Sequence, residues 1–184
     1  MGSDQIDLAA WLQTEDDATR SYRLERLGFL VNEFGSVGAG PMCFHGGELS
    51  KRCFEEARWS WVNGQFIACT IICQCFVEIS LRSLLSARGL NVGASDYWLE
   101  RTGMYELTKK ARKIGLLTED EVSALNRLRK NRIQYIHARP IFSKNHFMRR
   151  VLSTGETPED TCEHDAQEAI RLTIQLARRF GEMV

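Results

Sequence analysis

The sequence predicts an all-α protein, an antiparallel helical bundle carrying an N-terminal helical appendage. Three observations point that way. Apolar side chains recur at three- and four-residue steps along most of the 184 residues, only 3 prolines interrupt them, and few stretches alternate in the two-residue rhythm of a strand. A hydrophobic fraction of 43% and a charged fraction of 26% suit a globular chain long enough to bury a core without disulfides.

Residues 16 to 34 carry Tyr22, Leu24, Leu27, Leu30, Val31 and Phe34 at helical spacing, with Thr14 as the expected cap. The glycine-rich stretch 35 to 47, which contains Pro41, then reads as a loop. Residues 1 to 47 are therefore expected to form the appendage and residues 48 to 184 the bundle. Within the bundle, helices are expected over 48 to 63 and 65 to 88, turning at Asn63-Gly64, and over 96 to 114, ending at Gly115. Thr118 with Glu121 three residues on forms a capping box that opens the next helix, which Pro140 is expected to end. Thr157 as cap with Pro158 in the first helical position opens the last, whose Ile170, Ile174, Ala177 and Phe180 make one stripe.

Charge sets limits on partners. The 24 basic and 24 acidic residues cancel, so no global field draws the chain to nucleic acid or to an anionic membrane, and any RNA contact has to be local. The 6 cysteines would suit a secreted framework, but MGSDQIDLAAWLQ lacks the basic region, apolar segment and cleavage site of a secretory signal, which leads to the expectation of a reducing cytoplasm. The apolar run FIACTIICQCFV, residues 66 to 77, is shorter than the roughly 20 residues that cross a bilayer. It reads as the buried centre of the bundle, and no membrane partner is expected.

The helix after Thr118 carries the chemistry. On a helical wheel Val122, Leu125, Leu128, Ile133, Tyr135 and Ile136 share one side, and Arg129 and Arg132 fall inside that apolar arc. An unpaired guanidinium buried there would cost several kcal/mol, so a partner or an open groove is required. Glu78 is the only acidic residue between Gly64 and Gly89, and it is the natural partner. It also has Arg82 four residues on. A purely structural ion pair between packed helices is the plain alternative. His137 is expected in the helix's last turn, where the dipole favours imidazolium, and the plain alternative there is a surface or capping histidine.

The segment RLRKNRIQYIHAR, residues 127 to 139, resembles the signature of the HEPN (higher eukaryotes and prokaryotes nucleotide-binding) family, an arginine followed four to six residues later by a histidine. Arg132 and His137 satisfy it. The stretch 57 to 89 also resembles the family's preceding helix pair, with Glu78 and Arg82 in the E-x-x-x-R place, so the resemblance spans about residues 48 to 182. Two departures stand out. Ile133 follows Arg132 where the family usually has a polar residue, often asparagine, and Lys130-Asn131 offers a second alignment with His137. Lys130 and His137 lie within about 20° on the wheel, whereas Arg132 and His137 are about 140° apart.

The resemblance implies metal-independent RNA cleavage, with no cofactor and no metal site. A ribose 2′-OH would attack the adjacent phosphate, His137 would transfer protons, and Arg132 would hold the phosphate and its developing charge. Asn131, Lys130, Tyr135, Glu78 and Arg129 would support them, Asn131 or Tyr135 by orienting the phosphate or a base. It further implies RNA as partner, a homodimer pairing two motif helices across a two-fold axis, a toxin or defence role, and a nucleotidyltransferase-like antitoxin. The competing expectation is a noncatalytic helical module that binds a nucleotide or a protein.

Other features weigh less. Cys43-x-His45 and Cys162-x-His164 do not match a known zinc spacing and read as coincidence. Trp59, Trp61, Tyr97 and Trp98 are expected to pack, and Lys109, Lys110, Arg112 and Lys113 to form a solvated face. Neither a G-x-S-x-G elbow nor a Walker sequence appears.

Overall fold

In the computed structural model, residues 7–36, 42, 44–89, 102–137, 140, 143 and 146–181 are described, and among them are seven helices and no strand. The helices are α1 (Leu8–Ser36), α2 (Gly47–Val62), α3 (Phe66–Ala87), α4 (Met104–Lys113), α5 (Glu119–Ile136), α6 (Phe147–Thr154) and α7 (Pro158–Gly181). The all-α bundle expected from periodicity is thus the architecture found.

α3 is the axis of the bundle because it is apolar on nearly every side, and it packs on α2, α4, α5 and α7. By length and composition alone it could cross a membrane. Here Cys69, Cys73, Phe76, Val77, Leu81, Leu84 and Leu85 are all buried against its neighbours. The α2–α3 turn passes through Gly64 at φ 71°, and α4 ends on Gly115 at φ 73°, left-handed positions that glycine adopts without strain. Such short connections set consecutive helices antiparallel. At Gly46, φ is 101° and an added Cβ would overlap the Ile79 side chain, so the glycine-rich entry to α2 lets that backbone lie directly on α3.

α1 has two halves. From Arg23 onward it packs on α2 and α7: Leu30 is buried, Phe29 stacks on Trp61, Phe34 meets Phe54, and the Trp61 indole N–H donates to the Arg26 carbonyl at 3.0 Å. Its first turns expose Leu8, Trp11 and Leu12. The helix begins earlier than Thr14 would place it. Asp7 caps it, accepting from the backbone N–H groups of Ala9 and Ala10, while the Thr14 hydroxyl is bonded back to the Ala10 carbonyl inside the helix.

The capping box at Thr118 forms in full, and Arg179 of α7 also holds its Glu121, which ties the start of α5 to the end of α7. Pro158 opens α7 behind Thr157, whose hydroxyl accepts from the Asp160 N–H at 3.1 Å. α6 has no counterpart in the sequence reading. It is only eight residues long, capped by the His146 ring at one end and by left-handed Gly155 at the other. The helix expected over 96 to 114 is described from Met104, and its earlier part, with Tyr97 and Trp98, lies outside the described residues.

Because Leu81 is fully buried where α3 meets its neighbours, Leu81→Ala should destabilise the fold by about 2–5 kcal/mol, whereas Leu152→Ala, on an exposed site, should stay within about 0.5 kcal/mol. Urea unfolding followed by circular dichroism measures both.

Candidate functional site

The last two turns of α5 run between α3 and α7, and they present a different polar cluster to each. Residues four apart share a helix face. Asn131 and Tyr135 accordingly point together at α7, while Arg132 turns toward α3.

On the α3 side, the Glu78 carboxylate is shared. Gln74 Nε2 donates to Glu78 Oε1 at 2.5 Å, Arg82 Nη2 lies 3.5 Å from Oε2, and Arg132 Nη1 lies 3.9 Å from Oε1. Arg82 also donates to the Thr102 carbonyl at 3.0 Å. The Arg132 contact is an ion pair longer than a hydrogen bond. Its Nε is buried and has no hydrogen-bond partner, as does Gln74 Oε1 on a side chain that is 1% exposed. Arg129, one turn earlier, lies over the Tyr105 ring at 5.5 Å. Glu78 therefore pairs with Arg132, and Arg129 finds an aromatic face instead.

His137 is exposed and ends α5 as its C-cap, with an extended backbone (φ −118°, ψ 117°) and its N–H bonded to the Ile133 carbonyl at 3.3 Å. The helix thus stops at Ile136, one residue short of His137 and well before Pro140. The run Ile133 to Ile136 is rich in β-branched and aromatic side chains, which favour helix weakly. Lys130 is exposed as well. Arg132 and His137 are not in contact: one side chain is held against α3, and the other leaves the helix end.

On the α7 side lies a group that sequence reasoning missed. Asp165, 6% exposed, accepts from Asn131 Nδ2 at 2.8 Å, Tyr135 O–H at 2.5 Å and Arg150 Nη2 at 2.7 Å. Arg150 also donates to Asn131 Oδ1 at 3.0 Å, so α5, α6 and α7 meet in one closed network. Phe147 packs on the Tyr135 ring beside it. Burial pushes the Asp165 carboxyl above its ordinary value, against the opposing pull of the Tyr135 hydroxyl and the Arg150 guanidinium. Burial, and then the Asp165 carboxylate, pushes the Tyr135 hydroxyl up in turn. A cleft of about 150 Å³ borders the network between α5 and α7, lined in part by Asn131, Asp165, Arg127 and Arg171. Asn131 and Tyr135, expected to orient a phosphate or base, are thus committed to Asp165. The signal that singled out Glu78, a carboxylate inside an apolar stripe, was equally present at Asp165 among Ala166, Ala169 and Leu172.

Elsewhere, His45 Nε2 lies 3.0 Å from the Phe180 carbonyl oxygen and His164 Nδ1 lies 3.1 Å from Glu156 Oε1. Cys43 lies outside the described residues, and no group of three metal-ligating side chains occurs among the described ones. Trp61 is buried, but Trp59, expected to pack, is exposed because its position on α2 faces away from α3. Arg112 bridges Glu119 at 2.5 Å.

Two measurements check the Asp165 network. Tyr135→Phe deletes a hydrogen bond to a charged acceptor and should cost about 1.5–3 kcal/mol in urea unfolding. For pH, the raised Asp165 value means that the folded chain binds this proton more tightly than the unfolded one. Its contribution to stability therefore grows as pH falls toward the ordinary 3.8 and is lost as pH rises through the folded value. Unfolding of wild type and Asp165→Asn between about pH 7 and about pH 4 should differ in slope with that sign.

Comparison of the chain with protein-family models, with curated proteins and with solved structures gives no match, so the fold and the site stand on this chain's own residues.

Proposed function

We propose that the chain is a metal-independent endoribonuclease in which Arg132 binds the scissile phosphate and His137 transfers protons. What supports this reading is the state of Arg132: a half-buried guanidinium with an unpartnered Nε and only a 3.9 Å ion pair to Glu78, five residues before an exposed histidine on the same helix. Donors held in place but not satisfied are free to take an anion without first breaking a strong bond. Five residues correspond to a rise of about 7.5 Å. A phosphodiester lying across the end of α5 is long enough to touch both.

In this reaction the ribose 2′-oxygen forms a bond to phosphorus, the bond from phosphorus to the 5′-oxygen breaks, and the phosphate becomes a 2′,3′-cyclic ester. His137 takes the proton from the 2′-OH or delivers one to the departing 5′-oxygen. Arg132 meets the developing charge with its planar fork, which lysine does not reproduce. Glu78 and Arg129 act as positioning residues for Arg132 and its helix, and Asn131 and Tyr135 as positioning residues that hold the last turns of α5 against α7. Lys130, exposed beside the site, adds positive field. A toxin or defence role with a nucleotidyltransferase-like antitoxin belongs to the same proposal.

His137→Ala should lower RNA cleavage by at least about 10²-fold while the circular dichroism spectrum is unchanged. Arg132→Lys should also be impaired, EDTA should have no effect, and the products should carry 2′,3′-cyclic phosphate ends. Wild-type protein that cleaves no RNA tested, yet binds a nucleotide or protein equally well as His137→Ala, would assign the chain to the noncatalytic binding modules instead.

A further inference from the structure

α1 carries an outward face that nothing in the chain explains. Leu24, Leu27 and Val31 are 62%, 45% and 63% exposed, although they lie on the half of the helix that packs on the bundle. With Gly28 they fall within an arc of about 100° on the side opposite buried Leu30. Gly28 is the sharper anomaly. A glycine in mid-helix lowers helix stability relative to alanine, and its use is normally repaid by close approach of another chain segment or by a positive φ. Here φ is not positive, and a Cβ built on Gly28 would meet nothing within 4 Å. No packing within the described chain requires it.

We propose that this face is a two-fold docking surface for a second copy of the chain, α1 against α1 antiparallel, crossing at Gly28. The face is complementary to itself. A two-fold axis between Leu27 and Gly28 sets Leu24 opposite the second copy's Val31 and Leu27 opposite its Gly28, so a large side chain meets the position that lacks one. The same register sets Arg20 opposite the second copy's Gly35, in the last turn of that helix. That turn has no basic residue of its own, and its free carbonyls attract a cation. Arg20 is 61% exposed, and its only ion pair there, to Asp17 at 3.3 Å, is a surface one that screening leaves weak.

The strip from Arg20 to Gly35 is about 24 Å long. With the three exposed side chains at its centre it reaches the small end of specific interfaces, below the standard of about 800 Å² per partner. A dimer that forms reversibly with concentration follows. Equal numbers of acidic and basic residues, 24 of each, leave no net repulsion between copies. This placement differs from pairing through the motif helices, and it does not rest on the ribonuclease reading.

Sedimentation of the full chain between about 1 µM and about 200 µM should show the mass rising from one chain toward two. Gly28→Leu fills the hole while improving helix propensity, so it keeps the fold; it and Leu24→Arg should leave a monomer throughout, with unchanged circular dichroism. Leu12→Arg, on the projecting first half of α1 and off this face, should dimerise like wild type. A wild type that is monomeric at the highest concentration, or a dimer that survives Gly28→Leu and Leu24→Arg, overturns the proposal. A dimer abolished by Leu12→Arg alone also overturns it and moves the contact to the projecting turns. RNA cleavage enters none of these readings, so the two proposals fail separately.

Discussion

Two carboxylates placed inside apolar helices constrain the rest of this structure. Glu78 on α3 and Asp165 on α7 lie where water has been largely removed, and a carboxylate there is tolerable only if donors meet it. α5 supplies donors to both, Arg132 on one flank and Asn131 with Tyr135 on the other. Rotating α5 by a single residue would strand both charges at once. The register of the motif helix is therefore set by electrostatics as well as by the burial of Leu125 and Leu128.

The two clusters differ in completeness, and that difference bears on function. Around Asp165 every oxygen has a close donor, and the network spans α5, α6 and α7, as suits a structural lock. Around Glu78, Arg132 is held loosely and retains an unpartnered Nε. A closed network resists change, whereas an open one leaves an anion something to bind. With His137 exposed at the end of the same helix, the Asp165 lock fixes the geometry and the Glu78 cluster leaves the donors.

α1 shows how one helix can serve two purposes. Its inner face, with Leu30, Phe29 and Phe34, completes the packing of α2 and α7. Its outer face combines exposed large side chains with a glycine that has open space above it. Stability of the single chain favours neither feature, and both are accounted for when a second surface covers them.

The sequence by itself determined the helices wherever a local rule acts within one turn. The capping box at Thr118, Pro158 behind Thr157, and the turns at Gly64 and Gly115 all formed as their residues require, since caps and left-handed turns depend on neighbours a few positions away. Periodicity likewise marked α3 as the centre, and the isolated acid Glu78 as the group needing a cation. What only the tertiary structure decided were the pairings across helices: that Arg132 rather than Arg129 reaches Glu78, that Asn131 and Tyr135 turn to Asp165, and that Arg150 arrives from the eight-residue α6. The start of α1 at Asp7 and the end of α5 at Ile136 were also beyond local reading, because competing signals a turn apart differ by little. Side-chain direction on a wheel is known to within tens of degrees, while a hydrogen bond demands a few tenths of an ångström, and only the packed helices supply that difference.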